Sequence, residues 1–282
     1  MTARKMKVAT CQFTVTGSIR RNAGMIRQFI RQAKAKRVDI VHFSECAVSG
    51  YAGADLSSTD VIDWRLLREE TETIVQQAKK NKLWIVLGST HPLTPPHKPH
   101  NSLYLIDPQG KIVDRYDKRF GTPHDLSHYT TGDHFVTFTI NKIKCALLIC
   151  FDLRFPELYR ELKKQNVECI FQSFYNARQD GPSIHNVIMR QTMQCRAATN
   201  FFWISMANSC GYYAPYPSCF IQPDGRIVGQ LKMHRPGMLV NTVDTTKKFY
   251  DPMIGFREMV MKGILQNGPK VSDPRSRKRT IL

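Results

Sequence analysis

A cysteine attacks a carbonyl effectively only as its thiolate, and the tetrahedral species it forms needs donors or a cation for the developing oxyanion. Three side chains of this 282-residue chain could supply those needs together. Cys150 ends the apolar run from Ile143 to Ile149 and begins Cys150-Phe-Asp-Leu-Arg-Phe-Pro-Glu157. That order predicts a strand-to-helix elbow, where a side chain is exposed and helix-end N–H groups face negative charge. Glu45 follows the apolar Ile40, Val41, His42 and Phe43 almost directly, where charge has no obvious structural use, and is a candidate general base. Lys118 follows a strand expected over residues 111–116 and is a candidate cation for the oxyanion. All three would lie just beyond strand ends, where α/β sites commonly gather. Each also has an ordinary reading: a core thiol, a helix cap or ion-pair partner, and a solvated charge.

The elements that must position these residues are legible in outline. A strand is expected over 6–13, and Ile19, Ala23, Ile26, Ile30 and Ala33 then recur at helical spacing. A second strand over 38–43 precedes a Gly- and Ser-rich loop around Tyr51, and Leu67, Thr71, Ile74, Val75 and Ala78 share one helical face. Residues 83–87 read as a strand covered on both faces. Asp107-Pro-Gln-Gly-Lys-Ile-Val and Gln222-Pro-Asp-Gly-Arg-Ile-Val are alike, each a turn between strand-like segments. With further strands over 143–149 and 201–206 and helices over 158–164 and 185–198, this suggests two similar α/β halves packed sheet to sheet. The fold class expected is an α/β four-layer αββα sandwich of two mixed sheets flanked by helices. A single domain is expected over 1–243, with a basic C-terminal tail over 244–282 that wraps the domain or a partner subunit.

Composition narrows the function. No run approaches the roughly 18 apolar residues of a membrane span, and the N-terminus lacks the apolar segment of a secretory signal, so a soluble cytoplasmic protein is expected. The eight cysteines include no CxxC pair and no zinc-like His/Cys spacing, which fits a reducing compartment and no metal site. The formal net charge of +18 raises the question of nucleic acid. Arg20, Arg21, Arg27, Arg31, Lys34, Lys36 and Arg37, however, alternate with apolar residues as the wet face of a helix does, and no helix-turn-helix, RRM or KH pattern accompanies the charge. Attraction of an anionic small substrate is the expected use, and nucleic acid is not an expected partner.

Over almost its whole length the chain resembles the nitrilase, or carbon–nitrogen hydrolase, superfamily. Cys150 to Glu157 is similar to that family's Cys-Tyr-Asp-Leu-Arg-Phe-Pro-Glu nucleophile motif, in the form of the amidase-like branches. Gln12, Phe43-Ser-Glu45, Tyr51, Gly88, Asn101-Ser102, Tyr116-Asp-Lys118, Tyr129 to Asp133, Arg196 to Asn200, Asn208, Gly211, Ser218 and Pro223-Asp-Gly225 follow in the family's order. The resemblance implies a Glu45, Lys118, Cys150 catalytic set, with Lys118 and the Phe151 backbone N–H stabilising the oxyanion, no metal and no organic cofactor. It implies hydrolysis of a small linear amide through a cysteinyl thioester, with a nitrilase or N-carbamoyl amide hydrolase as alternatives on the same residues. A catalytically weak relative acting by binding is the alternative of another class. A homodimer or larger homo-oligomer is also implied. The sequence departs from the family where a second glutamate is usual: Asp125 stands there, one methylene shorter, with His124 and His128 beside it. Thr199-Asn200 replaces Glu-Asn, a change expected to affect packing. Tyr51, Tyr175, Asn176 and Arg154 are expected around the pocket, Arg154 either paired with a carboxylate under the elbow, the favoured reading, or facing a substrate carboxylate.

Overall fold

The computed structural model describes residues 4–176 and 183–281. Period-two alternation sorts the side chains of its first sheet. In β1 (Lys5–Gln12), Met6 and Val8 join the core shared with the second sheet, while Ala9 and Cys11 join the core under the helices. The same division separates Ile40 from Val41 in β2 (Ile40–His42) and Val86 from Ile85 and Leu87 in β3 (Trp84–His91). It also separates Leu103 and Leu105 from Tyr104 and Ile106 in β4 (His100–Ile106).

Helices α1 (Ile19–Ala35) and α2 (Trp64–Asn81) cover the outer face of this sheet. Ser18 and Asp63 start them by accepting the Arg21 and Leu66 N–H groups, as N-caps do. The predicted apolar stripes are buried at Ile19, Ala23, Ile26, Ile30 and Ala33 in α1 and at Leu67, Thr71, Ile74 and Ala78 in α2, while Val75, expected on the same face, is only partly buried. A short α3 (Pro123–His128) follows β5 (Ile112–Asp117).

The second half repeats the plan with β6 (Thr137–Ile140), β7 (Ile143–Ile149), α4 (Pro156–Lys164), β8 (Cys169–Ser173), α5 (Ile184–Asn200) and β9 (Trp203–Ala207). It ends with β10 (Cys219–Ile221), β11 (Ile227–Gln230) and β12 (Gly237–Asp244). The two six-stranded sheets run β12-β1-β2-β3-β4-β5 and β11-β10-β9-β8-β7-β6. In each, three central strands are parallel and the flanking ones antiparallel. The expected α/β sandwich, two mixed sheets between helical layers, is the fold. The two similar turns are both hairpins, β4–β5 and β10–β11, and Gly110 and Gly225 take φ of 74° and 87° at equivalent places. One strand starts later than expected, because Phe201 takes the left-handed cap of α5, φ 59°, and β9 begins at Trp203.

A polar chain crosses the apolar layer between the sheets. Thr10 Oγ1 lies 2.7 Å from Ser205 Oγ, which lies 2.8 Å from His42 Nδ1, and His42 Nε2 lies 2.9 Å from Ser173 Oγ. Ser173 donates to the Phe43 carbonyl at 2.9 Å, so its one proton is committed and His42 Nε2–H must be the donor to it. Nδ1 then accepts from Ser205. Complete burial holds the imidazole neutral, its pKa lowered to about 3.

The compact unit extends to Tyr250, and Asp251–Leu282 forms a second, smaller unit. Within the latter, Arg257 pairs with Asp251 at 2.6 and 2.9 Å, and the short helices α6 (Arg257–Met261) and α7 (Pro274–Arg277) form. No described helix is long and apolar enough to cross a membrane.

Candidate active site

Glu45 lies beyond the end of β2, and its completely buried carboxylate is fully engaged. Oε1 accepts from Asn101 Nδ2 and Lys118 Nζ, each at 2.7 Å, and Oε2 accepts from the Tyr175 backbone N–H at 2.8 Å. The Glu45 backbone N–H in turn reaches the Phe174 carbonyl at 3.3 Å, so this loop is stitched to the end of β8 in the other sheet. Gly88 on β3 makes the close passage possible. A Cβ there would overlap the Ser44 carbonyl and approach the Cys46 nitrogen to 2.8 Å.

Lys118 follows β5 directly, and its backbone N–H is fixed by the Asn101 carbonyl at 2.9 Å. Its ammonium lies between Glu45 and Asp125, whose Oδ2 is 2.9 Å away. Burial alone would lower the Lys118 pKa, but the two carboxylates and the neighbouring Cys150 thiolate form hold it well above the ordinary value. Asp125 is thus brought to the lysine despite its shorter side chain, because it is N3 of α3. Its Oδ2 accepts the Thr122 N–H at 2.8 Å while Thr122 Oγ1 accepts its own N–H at 3.1 Å, a reciprocal capping box. Tyr51 Oη donates to its Oδ1. Burial pushes the Asp125 pKa up, but Lys118 and the Tyr51 bond outweigh it and the net shift is downward. His124 and His128 instead pack edge to face on each other, centroids 5.1 Å apart.

Cys150 opens a 3₁₀ turn (Cys150–Arg154) between β7 and α4, with Pro156 at the first position of α4. Its φ of 38° is a left-handed conformation that a non-glycine residue adopts only under constraint. Burial, then the Glu45 charge, raises its pKa, while Lys118 opposes the shift. Burial raises the Glu45 pKa as well, and Lys118 opposes that shift too. Asn176 Nδ2 lies 3.6 Å from Sγ, bonds Tyr216 Oη, and is held through its backbone N–H by Asn208 Oδ1 at 3.1 Å. Phe151 occupies the second position of the turn, whose first N–H groups have no intrahelical partner.

Tyr51 and Tyr175 stack with centroids 4.6 Å apart, and Tyr175 Oη donates to Asp55 Oδ1 at 2.7 Å. Arg154 was expected to pair with a carboxylate under the elbow. Among the described residues its partner is instead His185 Nδ1, 3.1 Å from Nη2, because α5 passes beside the turn. Thr199 and Asn200 bond the Cys195 and Arg196 carbonyls at 2.6 and 2.9 Å in the last turn of α5. Two residues had no role assigned from sequence: Asn101, which holds both Glu45 and Lys118, and Asp152. The fully buried Asp152 carboxylate, pushed up to about 6 by burial, accepts from Tyr116 Oη and the Ile149 and Phe120 N–H groups at 2.7, 2.9 and 3.1 Å. The only signal was an acid two residues beyond the cysteine among apolar neighbours. Among the described residues, no three His, Cys, Asp or Glu side chains are grouped to hold a metal ion.

Known proteins share this sequence and architecture. A hydrolase in the agr operon of Staphylococcus lugdunensis is 30% identical over 220 residues, 74% of this chain and 88% of that protein. An (R)-stereoselective amidase of a Pseudomonas species is 28% identical over 174 residues, 61% of this chain and 60% of that protein. An amidase from Nesterenkonia sp. shares the fold, with a TM-score of 0.77 at 18% identity over 94% of this chain and 98% of that one. The carbon-nitrogen hydrolase family model matches residues 7–248, and the chain belongs to that family.

Proposed function

We propose that this member of the family is a thiol hydrolase of small linear amides, working through a cysteinyl thioester on Cys150. The observation that carries the reading is one buried ammonium, Lys118, shared by the Glu45 and Asp125 carboxylates beside a thiol on a constrained elbow. Glu45 takes the thiol proton as sulfur attacks the amide carbon. Lys118 and the Phe151 N–H meet the oxyanion, whose charge develops only in the transition state. The tetrahedral species collapses with transfer of the Glu45 proton to the leaving nitrogen, and ammonia or an amine departs. Water, deprotonated by the same carboxylate, then attacks the thioester carbon; the carbon–sulfur bond breaks, the carboxylic acid leaves, and Glu45 returns its proton to the sulfur.

Asp125 keeps the ammonium in place while Glu45 passes between charged and neutral. The stacked Tyr51 and Tyr175 and the amide of Asn176 form the pocket wall. We assign the chain to a reducing cytoplasmic setting, a reading supported by eight free cysteines, one of which must stay reduced to react, and we propose on the family resemblance that it is a homo-oligomer. The test is ammonia release across small linear amides, nitriles and carbamoyl compounds, with Cys150→Ala as control. Release from amides that this variant lacks supports the reading. Equal release by both proteins, or release from nitriles alone, overturns it.

A further inference from the structure

Three backbone or side-chain donors from two different sheets converge on one carboxylate that the reaction itself does not use. Tyr116, two residues before Lys118, and Phe120, two residues after it, both donate to Asp152, at 2.7 and 3.1 Å. Ile149, immediately before Cys150, donates to the same carboxylate at 2.9 Å. We infer that Asp152 is a positioning residue that sets the Lys118 ammonium relative to Cys150 by clamping the segments that carry them, a role resting on the proposed function above.

The geometry supports more than a generic buried bond. The two donors from the lysine segment stand two residues to either side of Lys118, Tyr116 through its side-chain hydroxyl and Phe120 through its backbone N–H, so the carboxylate tethers the segment on both sides of it. Asp152 and Tyr116 are fully buried, so neither bond is loosened by solvent exchange. The partners all donate, which requires an acceptor-only group with two oxygens; an ionised carboxylate meets that demand and an amide of the same shape does not. In Asp152→Asn, either orientation of the amide turns an NH2 toward an N–H or toward a hydroxyl and N–H that now compete for it. The loop carrying Lys118 then shifts by a fraction of an ångström to relieve the conflict.

A displacement of that kind bears most on steps that build an oxyanion, because it withdraws Lys118 from the developing charge while Glu45 keeps its bonds to Asn101 and the Tyr175 N–H. Amide hydrolysis builds one. Alkylation of Cys150 by iodoacetamide does not: sulfur bonds the methylene carbon, iodide leaves with the carbon–iodine electron pair, and Glu45 takes the thiol proton. The experiment therefore measures kcat and KM for ammonia release from butyramide, and the alkylation rate of Cys150 by mass spectrometry, in wild type, Asp152→Asn, Tyr116→Phe and Cys150→Ala.

The expected result for Asp152→Asn is a kcat lower by roughly 10- to 100-fold, since misplacement on the scale of an ångström can cost about that much. KM and the alkylation rate should stay within about threefold of wild type. Tyr116→Phe, which removes one donor and leaves the charge, should lower kcat less. In a further protein carrying both Asp152→Asn and Tyr116→Phe, the two losses should fall short of multiplying. An unchanged kcat in Asp152→Asn while Cys150→Ala is inactive overturns the positioning role and leaves the proposed function standing. A parallel fall of kcat, alkylation rate and melting temperature also overturns it, by showing a merely structural carboxylate. Equal ammonia release by wild type and Cys150→Ala defeats the proposed function and the inference with it.

Discussion

His42 offers a quantitative test of the layer between the sheets. In the order Thr10, Ser205, His42, Ser173, Phe43 carbonyl, each proton points the same way, and the ring fits only as the neutral Nε2–H tautomer. Its folded-state pKa is about 3, against an ordinary 6.5. Between those values the unfolded chain binds a proton that the folded imidazole refuses. The stabilisation is therefore complete above about pH 6.5, is lost as pH falls, and stops changing near about pH 3. At about 1.4 kcal/mol per unit, the loss is about 5 kcal/mol in all and about 2 kcal/mol between pH 7 and pH 5.

Asp152 works in the opposite direction, because its raised pKa makes the folded state bind more protons as pH falls. Comparing wild type with His42→Gln cancels that contribution, since both proteins carry Asp152. Gln can bond both hydroxyls but does not titrate. Urea unfolding followed by tryptophan fluorescence, at pH 7, 6 and 5 and one protein concentration, gives the stability difference at each pH. His42→Gln should be the less stable protein at pH 7 and should gain about 2 kcal/mol on wild type by pH 5. A difference that does not change with pH would refute the neutral, buried imidazole.

Three further substitutions have definite expected outcomes. Gly88→Ala should displace the Glu45 loop, lowering stability by roughly 1–3 kcal/mol and activity at least about tenfold. Gly24→Ala in α1, where a Cβ meets nothing within 4 Å, should raise stability by about 0.5–1 kcal/mol and leave activity unchanged; thermal unfolding and ammonia release read both. Burial is the main cause of the raised Glu45 pKa and the Asp125 charge adds to it, so in Asp125→Asn the acid limb of the kcat/KM profile should move to lower pH as the rate falls. A limb that stays in place or moves up in the pH–rate profile contradicts the coupling.

Much of the site could be read along the chain because its reactive groups interrupt local patterns. Glu45 is a charge at the end of an apolar strand, Lys118 directly follows an expected strand, Cys150 is a polarisable group at a strand-to-helix junction, and two like hairpins announce two like halves. The supporting residues are silent for a physical reason: their partners are distant and their own surroundings are ordinary. Asn101 bonds a glutamate 56 residues away, and His42 bonds serines 131 and 163 residues away. Period and propensity describe which face a residue takes, and these residues lie on buried strands, where polar partners come from elsewhere in the same sheet, as for Asn101, or from the opposite sheet, as for His42. Arg154 shows the same limit, since only the packing of α5 beside the elbow supplies His185 as its neighbour.

The return of β12 to β1 has a consequence for synthesis. The two strands face each other along eight positions, from Lys5 opposite Asp244 to Gln12 opposite Gly237. On the ribosome, β1 therefore keeps an open edge until residue 244 has emerged, long after Cys150 is made. The Tyr175 N–H that anchors Glu45 and the Asn208 amide that holds Asn176 also leave the tunnel after the cysteine does. The order of the chain thus acts as a timer: the nascent polypeptide carries Cys150 as an unactivated thiol, and the groups around it come together only as the second half closes on the first.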